Sequence, residues 1–151
     1  MTLNESVKDY LDDFLENEGK GEFWTNIDWL DIQVGSFSIS QNPTQNGGIY
    51  STDLVGNEYK TSAFTYNLAF EYSEDIATML DNGKLLESLS YYIKRNNQKR
   101  MYPKLSKGRI PTDFRIVQTP FLSQIGDNNQ IGVYTVILEL VYIEPKEELN
   151  V

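Results

Sequence analysis

Leu3, Val7, Tyr10, Leu11, Phe14 and Leu15 recur at helical spacing, while Asp9, Asp12, Asp13 and Glu16 fill the opposite positions. The pattern predicts an amphipathic helix with a solvated acidic face. Thr2-Leu3-Asn4-Glu5 starts it as a capping box, in which the Thr2 hydroxyl accepts from the Glu5 backbone and the Glu5 side chain reaches back. Gly19 and Gly21 are expected to end it. "FWTNIDWLDIQVGSFSIS", residues 23–40, then has strand character. Trp29, Ile32, Val34, Phe37 and Ile39 are its candidate core residues, and Gly35 is read as a bulge.

"QNPTQNGG", residues 41–48, is a loop by composition. Its glycine pair does not make a phosphate cradle, which needs a lysine and a hydroxyl at fixed spacing and a helix to follow. A strand-like "IYSTDLV" follows instead. After a turn at Gly56-Asn57 the chain alternates for more than ten residues. Phe64, Tyr66, Leu68, Phe70 and Tyr72 fall on one side, and Thr61, Ala63, Thr65, Asn67 and Ala69 on the other. The bulky side belongs under helices. The small side suits solvent or another subunit.

Ser73 is expected to cap a second helix, with Glu74 and Asp75 at its positive end. A break is expected at Asn82-Gly83, before the apolar positions Leu85, Leu86, Leu89, Tyr92 and Ile93. Pro103 and Pro111 flank an irregular connection. Residues 113–125 and 131–144 read as two strands of a hairpin around Gly126-Asp127-Asn128-Asn129. The last strand is apolar on both faces, which argues for a central position, whereas Pro120 places its partner near an edge or a bulge. The expected fold is α+β, a mainly antiparallel sheet with two helical segments packed on one face. Residues 1–151 form a single domain with a loose tail at about 145–151.

Composition narrows the chemistry. The chain has neither cysteine nor histidine, so no disulfide, thiolate site or histidine-based nucleophile system can be built within it. Neither a secretory leader nor an apolar run of about 18 residues occurs, and an intracellular, non-membrane protein is expected. Asp127-Asn128-Asn129 lacks the alternation and terminal glutamate of a calcium loop. The Asp12-Asp13 pair points outward from a helix, away from glycosidase-like geometry. No metal, cofactor or catalytic residue is assigned.

The net charge of −9 is unevenly placed. Residues 94–109, "KRNNQKRMYPKLSKGR", hold seven basic side chains (Lys94, Arg95, Lys99, Arg100, Lys104, Lys107, Arg109) and no acid. The segment through Asp31 holds nine acids against Lys8 and Lys20. Three readings of the basic run stay open. It is a solvated surface; a nucleic-acid contact with Tyr102 as a stacking platform; or a head-to-tail contact with the acidic surface of another copy.

The chain resembles the tail-terminator proteins (tail-completion or minor capsid proteins) of phages with long non-contractile tails. The resemblance rests on "FWTNIDWLDIQVGSFSIS", "GGIYSTDLVGNEYKTSAFTYNLAFEYSED", the helix ending "YYIKRNNQKRMYPKL" and the final "GVYTVILELVYIEP", and it spans nearly the whole chain. It implies a structural virion protein, assembled in the bacterial host cytoplasm, and not an enzyme. Such proteins form a ring, usually hexameric, that caps the tail tube, stops its polymerisation and joins the head connector. Expected partners are other copies, the tube protein and the connector, with no membrane and with DNA only passing through the lumen. An acidic lumen would keep that DNA from sticking.

Under this resemblance Lys94, Arg95, Lys99, Arg100 and Lys104, with Thr61 and Thr65, are candidate subunit contacts. Loops 41–59 and 123–130 are the edges toward tube or neck, with Asn46, Asp53, Asn57, Asp127 and Asn128 as contacts. A neighbouring neck protein, a small nucleic-acid-binding module and an enzyme of another kind are the alternatives.

Overall fold

Fourteen consecutive residues of one strand pair with fourteen of another, and this ladder organises the protein. In the computed structural model, which describes residues 1–20, 22–30, 33–73, 75–126 and 130–147, the elements are α1 (Leu3–Asn17), β1 (Trp24–Ile27), β2 (Ser36–Gln41), β3 (Ile49–Thr52), β4 (Glu58–Glu71), α2 (Ile76–Gln98), β5 (Ile110–Ile125) and β6 (Ile131–Glu144). Strands β1-β2-β4-β6-β5 lie in that order, and β3 pairs with β4 beside its start. All pairings are antiparallel except β1 with β2. The fold is α+β, with the helices packed against the sheet.

One face of the sheet holds the core. Phe37, Ile39, Phe64, Tyr66, Leu68, Phe70, Phe114, Val136, Leu138 and Leu140 meet the α1 stripe Val7, Leu11, Phe14 and Leu15 and the α2 stripe Leu85, Leu89 and Ile93. The alternation in β4 therefore does what its period requires, because every second side chain points to the helices. The opposite face satisfies itself with a polar band across four strands. The Thr135 hydroxyl lies 2.7 Å from both Asn67 Oδ1 and Ser123 Oγ, and Asn67 Nδ2 donates to Ser38 Oγ at 3.4 Å. Arg115 adds ion pairs to Asp113 and Glu139.

β6 is paired on both sides, as its two apolar faces suggest, and β5 is one margin of the sheet, with β1 at the other. Register shifts interrupt β5 at 111/113, 116/118, 118/121 and 122/124.

Several expectations need correction. Residues 23–40 are not one strand: β1 and β2 run parallel, so the chain must cross back between them. Trp29 and Val34 sit in that crossover and are exposed, not core. Ile32 and Gly21 lie outside the described residues. α2 does not break at Asn82-Gly83 but runs unbroken from Ile76 to Gln98. Asn82 is buried there and donates Nδ2 to the Glu71 carbonyl at 2.8 Å, a tertiary bond that outweighs its low helix propensity. The N-cap of α2 is Asp75, which accepts from the Ala77 amide, and Ser73 instead accepts from the Asp75 amide; Glu74 lies outside the described residues. Tyr72 ends up beyond β4, half-buried. The tail is held at its start, where the Lys146 amide donates to Asn57 Oδ1 at 2.9 Å.

Gly48 has a definite task. It adopts φ +79°, and a Cβ there would stand 2.2 Å from the Thr61 carbonyl oxygen, so the turn Gln45–Gly48 presses its backbone directly on β4.

Candidate functional site

The chain is anchored just ahead of α1, at Met1. Arg109 donates Nη2 to the Met1 carbonyl at 3.2 Å, and the Ser106 hydroxyl donates to the same oxygen at 2.8 Å. Farther along, Tyr10 packs edge-on against Tyr92 and Phe114, with centroids 5.5 and 4.9 Å apart, and its hydroxyl accepts from Asn96 Nδ2 at 3.3 Å. Burial pushes the Tyr10 phenol well above its ordinary range, so it stays neutral. These contacts set α1 beside the end of α2 and the segment that leaves it.

That segment turns sharply. Lys99 caps α2, Arg100 takes a left-handed φ of 57°, and the Met101 amide donates to the Asn96 carbonyl at 2.8 Å. The chain then passes α1 with Pro103 buried. Between them lies an open groove of about 990 Å³. Asp9, Asp12 and Asp13 line one wall, Arg100, Lys104 and Arg109 the other, with Tyr10, Tyr92 and Tyr102 between. A smaller continuation is lined by Glu16 and Lys99.

The acidic face of α1 and the basic segment thus flank a single groove in one chain, which separation in sequence concealed. Among the described residues no ion pair joins the two walls: Asp12 pairs with Lys8 at 2.6 Å, and Arg109 is committed to Met1 and Ser106. The groove offers charges of both signs around an aromatic floor. It suits a polar protein surface better than a polyanion, which Asp9, Asp12 and Asp13 would repel. Among the described residues no group of three or more acidic side chains is placed to hold a metal ion.

Of the expected subunit contacts, Arg100, Lys104 and Lys99 line these grooves, while Lys94 and Arg95 stand exposed on α2. Thr61 and Thr65 lie on the helix-free face of β4, and Thr65 donates to Asn42 Oδ1 at 2.7 Å. The structure therefore separates the two threonines from the cations, on opposite faces of the sheet.

Of the expected tube contacts, Asn46 is exposed in the 45–48 turn with φ 52°, and Asp127 and Asn128 lie outside the described residues. Asp53 and Asn57 hold the β3–β4 turn. The Asp53 carboxylate accepts from the Val55 amide at 3.1 Å, the Asn57 amide at 2.9 Å and Asn57 Nδ2 at 3.0 Å. Desolvation pushes its pKa up, but these bonds outweigh it and hold the group below the usual carboxylate range.

What this turn displays was missed. Leu54 is fully exposed and Val55 largely so, at the tip of a turn locked by Asp53. Two adjacent aliphatic residues between Asp53 and Gly56, where turn chemistry favours polar types, were the available signal. Also missed were Ile76, Met79 and Leu80, exposed in the first two turns of α2. No protein-family model matches this chain, and none of the curated proteins compared with it does.

Proposed function

We propose that this chain is the subunit of a tail-terminator ring, which caps a phage tail tube, stops its growth and offers a face to the head connector. The observation that carries the reading is the β3–β4 turn. A fully exposed Leu54 on a turn pinned by three hydrogen bonds contributes nothing to the core, and a rigid apolar tip is what a docking contact uses. The four-segment resemblance and the uneven charge of the chain support the same reading. In it Leu54 and Val55 take the contact role toward tube or neck, and Asp53 and Asn57 position them.

The experiment is to add the purified chain to polymerising tube protein and to measure tube lengths by electron microscopy. Tubes that stop growing and carry density at one end are expected for the native chain, and longer tubes for Leu54→Asp/Val55→Asp. Native chain that leaves tube length unchanged refutes the reading. Binding to the connector alone would assign the chain to the neck instead.

A further inference from the structure

α2 ends in a manner that its own stability does not explain. The Arg100 amide donates to the Asn97 carbonyl at 3.1 Å and the Met101 amide to the Asn96 carbonyl at 2.8 Å. These paired bonds close a helix through one left-handed residue, most often glycine, because a Cβ is costly there. Here that residue is Arg100, at φ 57°. The next residue commonly packs back on the helix, but Met101 stands 57 % exposed. A tight turn thus holds a strained cation and an unpacked methionine at the groove beside α1. Neither belongs to the core.

The charges of that groove are uncommitted. Asp9 and Asp13 are exposed on the α1 side, and Arg100 and Lys104 on the other. Among the described residues none of the four makes an ion pair. The smaller continuation has Glu16 from α1 and Lys99 from the end of α2. Half-buried Tyr92 and exposed Met101 line both stretches. The result is an aromatic and thioether strip with acids along one side and cations along the other. Tyrosine, methionine and arginine are the types that protein–protein contacts favour.

The geometry points to one occupant: an extended segment of a partner protein whose side chains alternate in charge. Successive side chains of an extended chain point to opposite sides. A segment lying along the groove turns its basic side chains toward Asp9 and Asp13 and its acidic ones toward Arg100 and Lys104. Their aliphatic stems lie over Tyr92 and Met101. The strain at Arg100 then has a use, since it sets a cation at the rim that a glycine would leave bare. A nucleic acid or an anionic membrane brings one sign only, and the α1 acids repel it. A single small zwitterion satisfies one pair of charges and leaves most of the 990 Å³ open.

The probe is the peptide acetyl-Lys-Glu-Lys-Glu-Lys-Glu-amide, titrated into isotope-labelled full-length chain at about 150 mM salt and followed by NMR. Amide resonances of Asp9, Asp13, Arg100 and Met101 should move together at millimolar peptide. Acetyl-Lys-Lys-Lys-Glu-Glu-Glu-amide has the same composition but sets like charges against both walls. It and hexaglutamate should bind about fivefold more weakly or worse. Arg100→Gly relieves the turn, so it should raise the melting temperature while weakening the alternating peptide by about fivefold. Asp13→Asn, at an exposed position, should weaken it to a similar degree without disturbing the fold. Groove resonances that stay still at about 10 mM peptide, equal affinity for the two peptide orders, or unchanged affinity in both variants overturns the inference. So does tighter binding of hexaglutamate. Groove resonances that shift on diluting the protein alone also overturn it, because they give the groove to a second copy.

Discussion

Asn82, buried in the second turn of α2, donates its side-chain amide to the backbone carbonyl of Glu71 at the end of β4, at 2.8 Å. This bond crosses from helix to strand in the first two turns of α2, where Asn82 is the one buried side chain among the described residues.

Replacing Asn82 with Leu leaves the Glu71 carbonyl without that donor. Unfolding free energy in urea should fall by about 0.5–1.5 kcal/mol, the net worth of one hydrogen bond whose acceptor can turn to water. Unchanged stability would mean that water replaces the amide at no cost.

Gly48→Ala should be more damaging than a surface glycine substitution, since the new Cβ would overlap the Thr61 carbonyl and φ is already +79°. A loss of about 1–3 kcal/mol is expected, against a gain of about 0.5–1 kcal/mol for Gly83→Ala in the interior of α2, where a Cβ would meet nothing within 4 Å among the described residues. Equal effects in thermal unfolding at the two sites would contradict the close approach.

The Tyr66 hydroxyl is fully buried, and although Thr25 lies near enough to draw its pKa slightly down, neither hydroxyl has a hydrogen-bond partner among the described residues. Burial dominates and keeps the phenol neutral. Tyr66→Phe should therefore leave stability unchanged or raise it by about 1 kcal/mol. A marked drop in melting temperature would reveal a bond between the two hydroxyls.

Asp53 gives the turn a pH dependence. Its folded pKa lies below the ordinary 3.8, so its contribution is complete above that value and is lost as pH falls through the folded pKa. Methyl resonances of Leu54 and Val55, followed by NMR from neutral pH downward, should hold steady and shift only below 3.8. A midpoint at or above 3.8 would show that the hydrogen bonds do not hold the carboxylate. Asp53→Ala should remove the transition.

Reversing Lys94 and Arg95 to Glu tests the start of the basic segment as a subunit contact. Both are exposed, so the fold should be kept while self-association falls and loses much of its salt dependence. Single-stranded DNA should bind the native chain only weakly, because Asp9, Asp12 and Asp13 flank the same groove as Arg100. Tight, steeply salt-dependent DNA binding in a gel-shift assay would restore the nucleic-acid reading.

Much of the fold was legible because its signals are periodic. Phe64 to Phe70 in β4 and Leu3 to Leu15 in α1 show their faces by spacing alone, and Pro120 with the two-faced β6 ordered the closing hairpin. What sequence hid was tertiary. Asn82 looks like a helix breaker until the Glu71 carbonyl is seen beside it. Trp29 and Val34 look like core until β1 and β2 prove parallel. The candidate site was legible in composition and not in arrangement. The run of cations was plain, but its facing Asp9 and Asp13 lie some ninety residues earlier, and the threonines grouped with it stand on the far face of the sheet.

The irregular register of β5 bears on all of this. A strand at a sheet margin offers unpaired backbone groups to any other strand, and a protein concentrated on one assembly meets many copies of itself. β5 carries Pro111 and Pro120 and slips its register at four places, so it makes a poor template for a straight neighbour. Crowding these molecules should therefore favour discrete particles over cross-β fibrils.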